Sequence, residues 1–558
     1  MRVSYQHANP YYGNESYLMR FHDGIHDQTA CVLIDAGDGV AVGDLLAEDE
    51  YLTAVLLTHA HLDHYRTLAA NVRDGAPVYA APDTAAILDT VLSEGKHNYD
   101  LGDVEPVTDA LEPVEDWTPL TGELDICPVP AGHAPGAAGF LVRFEDNEPH
   151  HLLATGDFTR RRVGGYPGFT TGLGVDVEAV FLTAAESAGY ERELTESVGT
   201  MLERAREGSS VLVTASGLTG VQYAYLLGHL GEELDESIPI NIVGQVAKLY
   251  ADLEYDVPGV EACAVFEDPE EVLAPETVTI AGPEVPVEGS AHRLFEEIED
   301  DPAATLVQIT AGATTPRDSA GCTVYDYTLI NHPTEDEIDG VVEAFGPIEV
   351  VIEHGRNNSG KYKDKYSSFV WATDDSKEYT LYDDGRWLSP EWVGPETDRR
   401  IRARNGRSNG WTRGGAFGDD RSLPALERAD DVDFVAEGLD MDSLLVRLRA
   451  DHGSETVHAE GERESVTVGT QKPDETSGEA DETTTELHGA DVATIVERLD
   501  AIEATLTADT VRARVVDAGD GVTLLRLLED VALQHGQEVE LTIESEIQTN
   551  GTGDSSSE

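Results

Sequence analysis

The chain has 558 residues, which is too long for one ordinary domain, so two to four folding units are expected. Its 108 acidic and 37 basic residues give a formal net charge of −71. A hydrophobic content of 40% suffices for a buried core and excludes wholesale disorder.

The acidity is best interpreted as an adaptation to salt. Lysine is nearly absent while Asp, Glu and Arg are abundant, a pattern that resembles proteins of salt-in halophiles. At molar salt the Debye length falls to about 3 Å, so the self-repulsion of such a chain is screened. We therefore do not interpret the net charge as the mark of a basic partner.

The sequence predicts a cytoplasmic protein. No apolar run approaches the roughly 20 residues that a membrane span needs. The N-terminal segment has no apolar core of signal-peptide type. The four cysteines (Cys31, Cys127, Cys263 and Cys322) are scattered without CxxC spacing, which favours buried thiols over a disulfide framework.

In chain order, short apolar runs alternate with helical stretches. The first runs predict buried strands at 31–37, 53–61, 77–82, 139–144, 151–157 and 178–187. Next come a helix at 194–207, a strand at 209–217, a helix at 221–230, and strands at 239–244, 277–282, 304–312 and 348–355. This alternation predicts an α/β fold in which helices cover both faces of a sheet.

Beyond about residue 390 the composition changes. The predicted segments are an Arg/Gly-rich linker (391–425), a small unit (426–455), an acidic disordered linker (456–487), a helical or α+β unit (488–545) and a disordered tail (546–558). Two Leu-rich stretches, 440–450 and 521–531, look alike as helices, and we interpret this similarity as coincidence rather than as a repeat.

A dense group of metal-binding side chains follows the second apolar run. His59, His61, Asp63 and His64 fall within six residues, directly after the apolar VLLT. Imidazole and carboxylate groups are the ligands that zinc prefers among groups other than thiolates. A lone histidine in a strand is usually an ordinary core residue, but four such side chains cannot all turn inward unless a metal gathers them. The motif predicts half of a metal site.

Three further polar residues lie downstream where predicted strands give way to loops. His133 follows CPVPA, Asp157 ends HLLATGD, and His354 ends IEVVIEHG. Taken singly, each is more simply an ordinary polar residue. Together and in this order, they predict the second half of the site, in which a carboxylate at Asp157 can bridge two metals.

These motifs and their order resemble the metallo-β-lactamase superfamily, which implies an αββα sandwich and a hydrolase with two Zn²⁺ ions. The resemblance implies that Asp35, in LIDAG, supports the ligands and that Asp157 bridges the metals. It assigns the other ligands as His59, His61 and His133 for one zinc, and Asp63, His64 and His354 for the other. A bridging water would be deprotonated near neutral pH and would attack the scissile bond.

The distance from Asp157 to His354 distinguishes a branch of this superfamily. Almost two hundred residues with a βαβ series of their own intervene, which resembles the inserted cap of the β-CASP nucleases. The implied domains are a first metallo-β-lactamase part (1–185), the β-CASP cap (186–320) and a return segment (321–390). The resemblance covers roughly residues 1–375.

Later family motifs match less closely. The resemblance makes Glu186 the motif A acid and His332 the motif B histidine, which would protonate the leaving oxygen while Glu186 orients it. The sequence departs from the family at Thr219-Gly220-Val221, where a Gly-Arg is usual, and at Asn331-His332-Pro333. His292, in GSAHR, is an alternative for motif B, but it precedes a helix and a strand where the family has a Gly-rich turn.

A histidine at motif C, position 354, accompanies RNA substrates in this family. Basic residues near the metal-ligand loops and in the Arg/Gly-rich stretch support a single-stranded RNA partner, with aromatic residues to stack on bases. The candidate RNA contacts are Arg160, Arg161, Arg162, Lys361, Lys363, Lys365, Arg399, Arg400, Arg402, Arg404 and Trp411, with Arg407, Arg413 and Phe417 in the same stretch. The alternative is a solvated linker with incidental charge.

The sequence thus predicts a zinc-dependent ribonuclease similar to the archaeal nucleases related to the cleavage and polyadenylation factor and to the RNase J group. It leaves endonuclease and 5′-3′ exonuclease modes open. Alternatives are a DNA nuclease, a small-molecule hydrolase of thioesterase or lactonase type, and a non-catalytic RNA-binding scaffold. The C-terminal units are candidates for forming a homodimer, tethering a partner or extending the RNA path.

Overall fold

A computed structural model describes residues 1–24, 28–235, 238–355, 359–412, 423–452, 513–517 and 523–527. The predicted acidic linker (456–487) and tail (546–558) lie outside the described residues, as do Arg413, Phe417 and the side chains of Arg407 and Trp411. The chain divides into two units, Met1–Ala459 and Glu460–Glu558.

The first sheet begins with an antiparallel meander and continues as a parallel sheet. Its strands in this part of the chain are β1 (Arg2–His7), β2 (Tyr17–Asp23), β3 (Gln28–Ile34), β4 (Leu52–Leu57), β5 (Val78–Ala80) and β6 (Leu111–Pro113). The connecting helices are α1 (Val42–Leu45), α2 (Leu62–Tyr65), α3 (Leu68–Asn71), α4 (Pro82–Asn98) and α5 (Glu105–Ala110). The apolar runs predicted as the first three strands correspond to β3, β4 and β5.

The second sheet is formed next. Its strands are β7 (Thr118–Thr121), β8 (Leu124–Pro130), β9 (Ala138–Asp146), β10 (Glu148–Ala154) and β11 (Ala179–Thr183). Strands β7 to β10 are antiparallel, whereas β11 runs parallel to β10. All five residues of β11 are buried, which explains why this strand has a continuous apolar run rather than an alternating one.

A separate, wholly parallel sheet follows β11. Its strands are β12 (Ser210–Thr214), β13 (Ile240–Val243), β14 (Val260–Cys263), β15 (Thr277–Ala281), β16 (Thr305–Thr310) and β17 (Thr323–Thr328), in the order β14-β13-β15-β12-β16-β17. Its helices are α6 (Tyr190–Arg206), α7 (Gly217–Glu233), α8 (Gln245–Asp252) and α9 (Gly289–Ile298), with a 3-10 turn at Pro269–Glu271. Strand β17 lies beyond the predicted boundary at residue 320. It is a half-exposed edge strand, and no apolar run marks it in the sequence.

The chain then returns to the first two sheets. Helix α10 (Glu335–Phe345) starts at a capping box, in which Thr334 and Glu337 satisfy each other's backbone N–H groups. It leads into β18 (Glu349–Glu353), α11 (Ser359–Tyr362) and β19 (Phe369–Trp371). Strands β18 and β19 extend the second sheet beside β11. Strands β20 (Tyr379–Asp383) and β21 (Arg386–Trp387) complete the edge of the first sheet next to β1.

The first two sheets pack face to face and carry helices on their outer faces. Between them Tyr17 stacks on Phe181 with ring centroids 4.8 Å apart, and Tyr5 meets Phe181 edge-on at 5.6 Å. Helices α1 to α5 cover the first sheet, while α10 covers the second. This arrangement is an αββα sandwich, which confirms the predicted fold class.

The region after residue 390 contains two helices. The segment predicted as a linker, 391–425, includes α12 (Pro395–Thr412), in which Arg402 pairs with Asp398 one turn away at 3.0 Å and Ile401 is buried. The segment predicted as a small unit, 426–455, includes α13 (Met441–His452), which packs along α6. Leu444 and Leu448, one turn apart, need an apolar partner, and α6 supplies it.

The second unit contains an antiparallel hairpin of β22 (Ala513–Asp517) and β23 (Thr523–Leu527). Residues Thr523–Leu527 of the Leu-rich stretch, which looks helical in sequence, therefore form a strand. Its partner VRARVVD is rich in β-branched valine, and pairing overrides the helical propensity of leucine. Among the residues whose structure is described, no helix is both long and apolar enough to cross a membrane.

Candidate metal centre

The HxHxDH motif forms the turn between β4 and α2. Strand β4 is buried from Ala54 onward, so the chain emerges from the core at its C-terminal end and the motif starts at the edge of the sheet. His61 is the residue before the first turn of α2, which carries Asp63 and His64 back toward the same point. A strand followed at once by a helix thus brings four ligand-type side chains to one place.

A first group of three imidazoles lies at this edge. The His61 Nδ1 atom is 3.1 Å from His59 Nε2 and 3.0 Å from His133 Nε2. Three nitrogen ligands at about 2.0–2.1 Å from a tetrahedral zinc would be about 3.3 Å from each other. The spacing of these nitrogens therefore fits one zinc-sized cation.

His133 reaches this group from the loop after β8, where the backbone is tightly constrained. Gly132 has φ +66°, and a Cβ there would lie 2.6 Å from the Thr159 carbonyl oxygen. His133 itself has φ +55°. Its Nδ1 donates to the Asn331 carbonyl at 2.7 Å, so Nε2 is left with its lone pair toward the centre.

Asp157 lies between the imidazoles that come from four different parts of the chain. Its Oδ2 is 3.4 Å from His64 Nε2, 3.8 Å from His133 Nε2 and 3.3 Å from His332 Nε2. Its Oδ1 is 2.8 Å from His354 Nδ1 and accepts the Thr183 hydroxyl at 2.9 Å. A carboxylate in this position can bridge two cations.

The remaining two ligand candidates meet on the outer side of the centre. Asp63 Oδ2 lies 3.8 Å from His354 Nε2 and 4.0 Å from His64 Nε2, and the Asp63 side chain is 56% exposed. Asp63 therefore faces the solvent side, where a substrate would arrive.

The residues fit a pair of divalent cations. His64 Nδ1 donates to Asp35 at 2.7 Å, whereas His64 Nε2 is buried and has no hydrogen-bond partner. A carboxylate behind one ring nitrogen and an open lone pair on the other is the usual setting of a metal-ligating histidine. Three sets of side chains have ligand atoms within 4.8 Å of each other, namely His59-His61-His133, His59-His64-Asp157 and His133-Asp157-His332.

The charge environment favours neutral His59 and His133 and an ionised Asp157. Burial and the neighbouring imidazoles hold the pKa values of His59 and His133 well below the ordinary range. Burial alone would raise the pKa of Asp157, but His354 and His332 lower it well below the usual value. Asp157 in turn outweighs burial and raises the pKa of His354 to about 9, so a cation bound by His354 must displace a proton.

The structure places His332 at the centre, as the sequence suggests for motif B, and places His292 on helix α9. The His332 ring stacks on His133 with centroids 5.2 Å apart. Its backbone carbonyl accepts the Arg161 guanidinium and the Ser187 hydroxyl, each at 3.2 Å. Residue Glu186, just before Ser187, forms an ion pair with Lys361 at 2.5 Å.

Five of the basic residues predicted as RNA contacts form ion pairs with acidic residues in the structure. The ion pairs are Arg161–Glu191, Arg162–Asp431, Lys361–Glu186, Lys361–Glu335, Lys365–Glu335, Lys365–Asp339 and Arg402–Asp398. Lys363 lies over the Trp392 ring at 4.9 Å, Arg399 donates to the Pro395 carbonyl, and Arg160 and Arg400 are exposed. Arg404 borders a cleft of about 310 Å³ together with Lys365.

Two buried glutamates behind the centre escaped the sequence analysis. Glu353 and Glu15 line a small cavity together with Asp35 and His64. Both Glu353 oxygens and Glu15 Oε2 lack hydrogen-bond partners, and burial raises the pKa of each carboxyl group. The signal was available for Glu353, because a glutamate at each end of the short apolar run of β18, EVVIE, is unusual for a buried parallel strand.

Comparisons with known proteins agree with this fold. Residues 31–168, which include Asp35 and every ligand candidate up to Asp157, match the Beta-lactamase superfamily domain. This part of the chain is therefore similar to that superfamily.

One curated relative and one solved structure are informative. The chain is 39% identical over 117 residues to Ribonuclease TTHA0252 of Thermus thermophilus, which is 19% of this chain and 26% of that protein. The match therefore spans about a quarter of the relative's length. A protein of unknown function from Enterococcus faecalis V583 shares the fold, with a TM-score of 0.50 and 14% identity over 68% of this chain and 99% of its own.

Proposed function

We propose that this chain is a ribonuclease that hydrolyses RNA phosphodiester bonds with two Zn²⁺ ions. The observation that carries the proposal is a cluster of five imidazoles and two carboxylates, one of which is the central Asp157. A sixth imidazole, that of His332, lies 3.3 Å from the Asp157 carboxylate. The 39% match to a ribonuclease supports RNA as the substrate.

The ligand residues have separate tasks in this proposal. Two bound zinc ions would supply an activated water and would neutralise charge that develops on the phosphate. His59, His61 and His133 would hold one ion, His64, Asp63 and His354 would hold the other, and Asp157 would serve both. Because Asp63 faces solvent, the scissile phosphate enters on its side.

His332 is the proposed donor of a proton to the leaving oxygen. Its carbonyl is held by Arg161 and Ser187, and its neighbour Asn331 donates to the His133 carbonyl at 2.6 Å. These contacts fix the ring beside the metal ligands without blocking Nε2. Glu186, adjacent to Ser187, is the acid proposed to orient it. General-acid help of this kind is typically worth about 10²- to 10⁴-fold in rate.

The wholly parallel sheet between β11 and β18 is proposed to be a cap of the β-CASP type. Strands β11 and β18 are direct neighbours in the second sheet, so the intervening sheet is an insertion at one point of the sandwich. The cap begins after residue 185 and, with β17 included, extends beyond residue 320. Such an insertion gives a long polymer a second wall, which a small-molecule hydrolase does not need.

The test is an activity assay in molar KCl with the zinc-loaded full chain. The substrates are labelled single-stranded RNA, single-stranded DNA and a generic thioester, and the variants are Asp63→Ala, His332→Ala and the exposed control Asp44→Ala. We expect the wild type and Asp44→Ala to cleave RNA, Asp63→Ala to lose cleavage, and His332→Ala to lose about 10²-fold or more with its zinc retained.

Each outcome bears on a different part of the proposal. Thioester turnover without RNA cleavage would overturn the nuclease assignment. Cleavage of DNA in preference to RNA would overturn the substrate class. Cleavage of RNA that His332→Ala leaves unchanged would overturn only the role of His332.

A further inference from the structure

Two adjacent tyrosines stand exposed on the loop between β1 and β2. Tyr11 is 69% exposed and Tyr12 is 49% exposed, which makes them unusual among the large side chains of the described residues. A single solvent-exposed tyrosine is common on protein surfaces. Neighbouring exposed rings form a contiguous apolar surface, which is typical of a binding site.

This loop is bound directly to the metal centre. The backbone N–H of the ligand candidate His354 donates to the Asn14 carbonyl at 2.9 Å. Asn14 is three residues from Tyr11, and three residues span at most about 11 Å. The two tyrosines therefore stand on a loop that is anchored to the backbone of a ligand candidate.

A third exposed tyrosine, Tyr99, is linked to this loop through a chain of contacts. The Tyr12 ring lies on Gly39, where a Cβ would be only 2.1 Å from it. The next residue back, Asp38, pairs with Arg66 at 3.5 Å. The Arg66 guanidinium in turn lies 5.5 Å from the centre of the Tyr99 ring, which is 39% exposed.

These residues form one strip along the ligand loop. We call Tyr11, Tyr12, Arg66 and Tyr99 the tyrosine strip. Arg66 lies only two residues after His64 and three after Asp63, which is itself 56% exposed.

Charge contacts are poorly suited to hold a polyanion on this protein. The net charge is −71, and most basic residues near the ligand loops already have carboxylate partners. At high salt, counterion release also contributes little affinity. Stacking of bases on aromatic rings does not depend on charge and contributes about 1–3 kcal/mol per base. It can therefore bind RNA despite the negative net charge of the protein and at high salt.

We propose that the tyrosine strip is a stacking platform that holds unpaired bases of single-stranded RNA beside the metal centre. The proposal rests on the ribonuclease function proposed above and adds the residues that recognise the substrate. Tyr11 and Tyr12 stack on successive bases on one side of the scissile phosphate, and Tyr99, backed by Arg66, receives a base on the other side.

The experiment compares Tyr11→Ala/Tyr12→Ala and Tyr99→Ala with Tyr11→Phe/Tyr12→Phe and the control Tyr51→Ala. Tyr51 is 60% exposed but precedes β4, at the opposite end of the strand from Thr58, so it matches in exposure and not in position. The zinc-loaded full chain is titrated by fluorescence anisotropy with a short single-stranded RNA made resistant to cleavage by phosphorothioate linkages, and with the corresponding duplex. Turnover of bis(p-nitrophenyl) phosphate is measured in parallel.

We expect the alanine variants to bind single-stranded RNA about tenfold or more weakly, while the phenylalanine variant and Tyr51→Ala bind like the wild type. The ratio of RNA cleavage to bis(p-nitrophenyl) phosphate turnover should fall in the alanine variants. Unchanged binding in these variants, or an equal loss for duplex RNA, would overturn the platform. If the wild type cleaves RNA while the platform fails, the ribonuclease function stands. If the wild type neither binds nor cleaves RNA, both proposals fall.

Discussion

Asp35 organises the centre although it is not among the proposed ligands. Its Oδ1 accepts the Thr58 backbone N–H at 2.8 Å, and its Oδ2 accepts the Thr58 hydroxyl and His64 Nδ1 at 2.8 and 2.7 Å. The residue is 1% exposed and has φ +54°. One buried carboxylate thus fixes both the start of the ligand loop and the orientation of a ligand ring.

The first prediction concerns this carboxylate. Asp35→Asn keeps the size of the side chain but removes the charge that holds His64 Nδ1–H. We expect zinc affinity to fall about 10- to 100-fold, as is typical for the loss of such a supporting group. Competition with a chromophoric chelator measures it, with the exposed Asp44→Asn as the control. Equal affinities for the two variants would contradict the role of Asp35.

Gly132 provides a second test at the level of a single residue. A Cβ at this position would meet the Thr159 carbonyl at 2.6 Å in addition to suffering the strain of φ +66°. Gly102 has φ +75° but nothing within 4 Å, so Gly102→Ala carries the strain without the collision. We expect Gly132→Ala to displace His133 and weaken zinc binding, whereas Gly102→Ala costs only about 1 kcal/mol of stability. Chelator competition and thermal melting separate the two effects.

At the scale of elements, the chain from 426 to 452 acts as a strap across the main unit. Glu437 is fully buried, and its two oxygens accept the backbone N–H groups of Gly164 and Gly165 at 2.8 and 2.7 Å. Arg447 forms a two-pronged pair with Glu203 on α6 at 2.5 and 2.6 Å. The strap thus joins the loop after Asp157 to the first helix of the inserted block.

The third prediction follows from the two hydrogen bonds of Glu437. In Glu437→Ala, two buried N–H groups lose their acceptor, and each unsatisfied buried donor costs about 1–3 kcal/mol. We expect the free energy of unfolding to drop by about 3 kcal/mol, seen as a lower denaturant midpoint in tryptophan fluorescence. The exposed Glu427→Ala is the control and should leave the midpoint unchanged. A midpoint for Glu437→Ala equal to that of the control would show that the strap does not stabilise the unit.

How far elements could be predicted depended on their burial. The strands β3, β4, β10, β11 and β18 each contain a buried apolar run, and these runs revealed them in the sequence. Helix α12 was missed because it is held by charge pairs and one buried isoleucine rather than by an apolar stripe. The edge strand β17 was missed because alternation is lost when a strand is only half buried.

At the scale of the whole molecule, the net charge of −71 is the dominant feature. Surface ion pairs such as Arg204–Glu207 contribute little individually. Their number is also limited, because the chain has 37 basic residues for 108 acidic ones. Most carboxylates therefore repel one another across the surface unless salt screens them.

The fourth prediction is that stability rises with salt through screening. We expect the melting temperature to climb steadily from low to molar KCl, because the Debye length shortens from about 30 Å at 0.01 M to about 3 Å at 1 M. Differential scanning fluorimetry measures it, and sucrose, which strengthens burial without screening, is the control. If KCl raises the melting temperature no more than sucrose does, charge repulsion does not limit the stability of the protein.

The sequence by itself predicted a metal-binding cluster and determined the fold class. The apolar runs predicted an α/β fold, and the resemblance carried by HxHxDH, His133, Asp157 and His354 implied the αββα sandwich. Polar side chains directly after apolar strands lie where the chain leaves the core, and this local property is recorded in the sequence. His59 follows β4 of the first sheet, whereas Asp157 and His354 follow β10 and β18 of the second, so the packing of the two sheets brings them together.

Only the tertiary structure decided what surrounds that centre. The predicted RNA contact Arg161 instead holds the His332 segment, and Glu437 reaches Gly164 across 273 residues of sequence. The tyrosine strip unites residues from three separate loops. Contacts of this kind depend on how whole elements pack, and no periodicity in the chain records them, because each partner is an ordinary surface residue until the fold brings the other beside it.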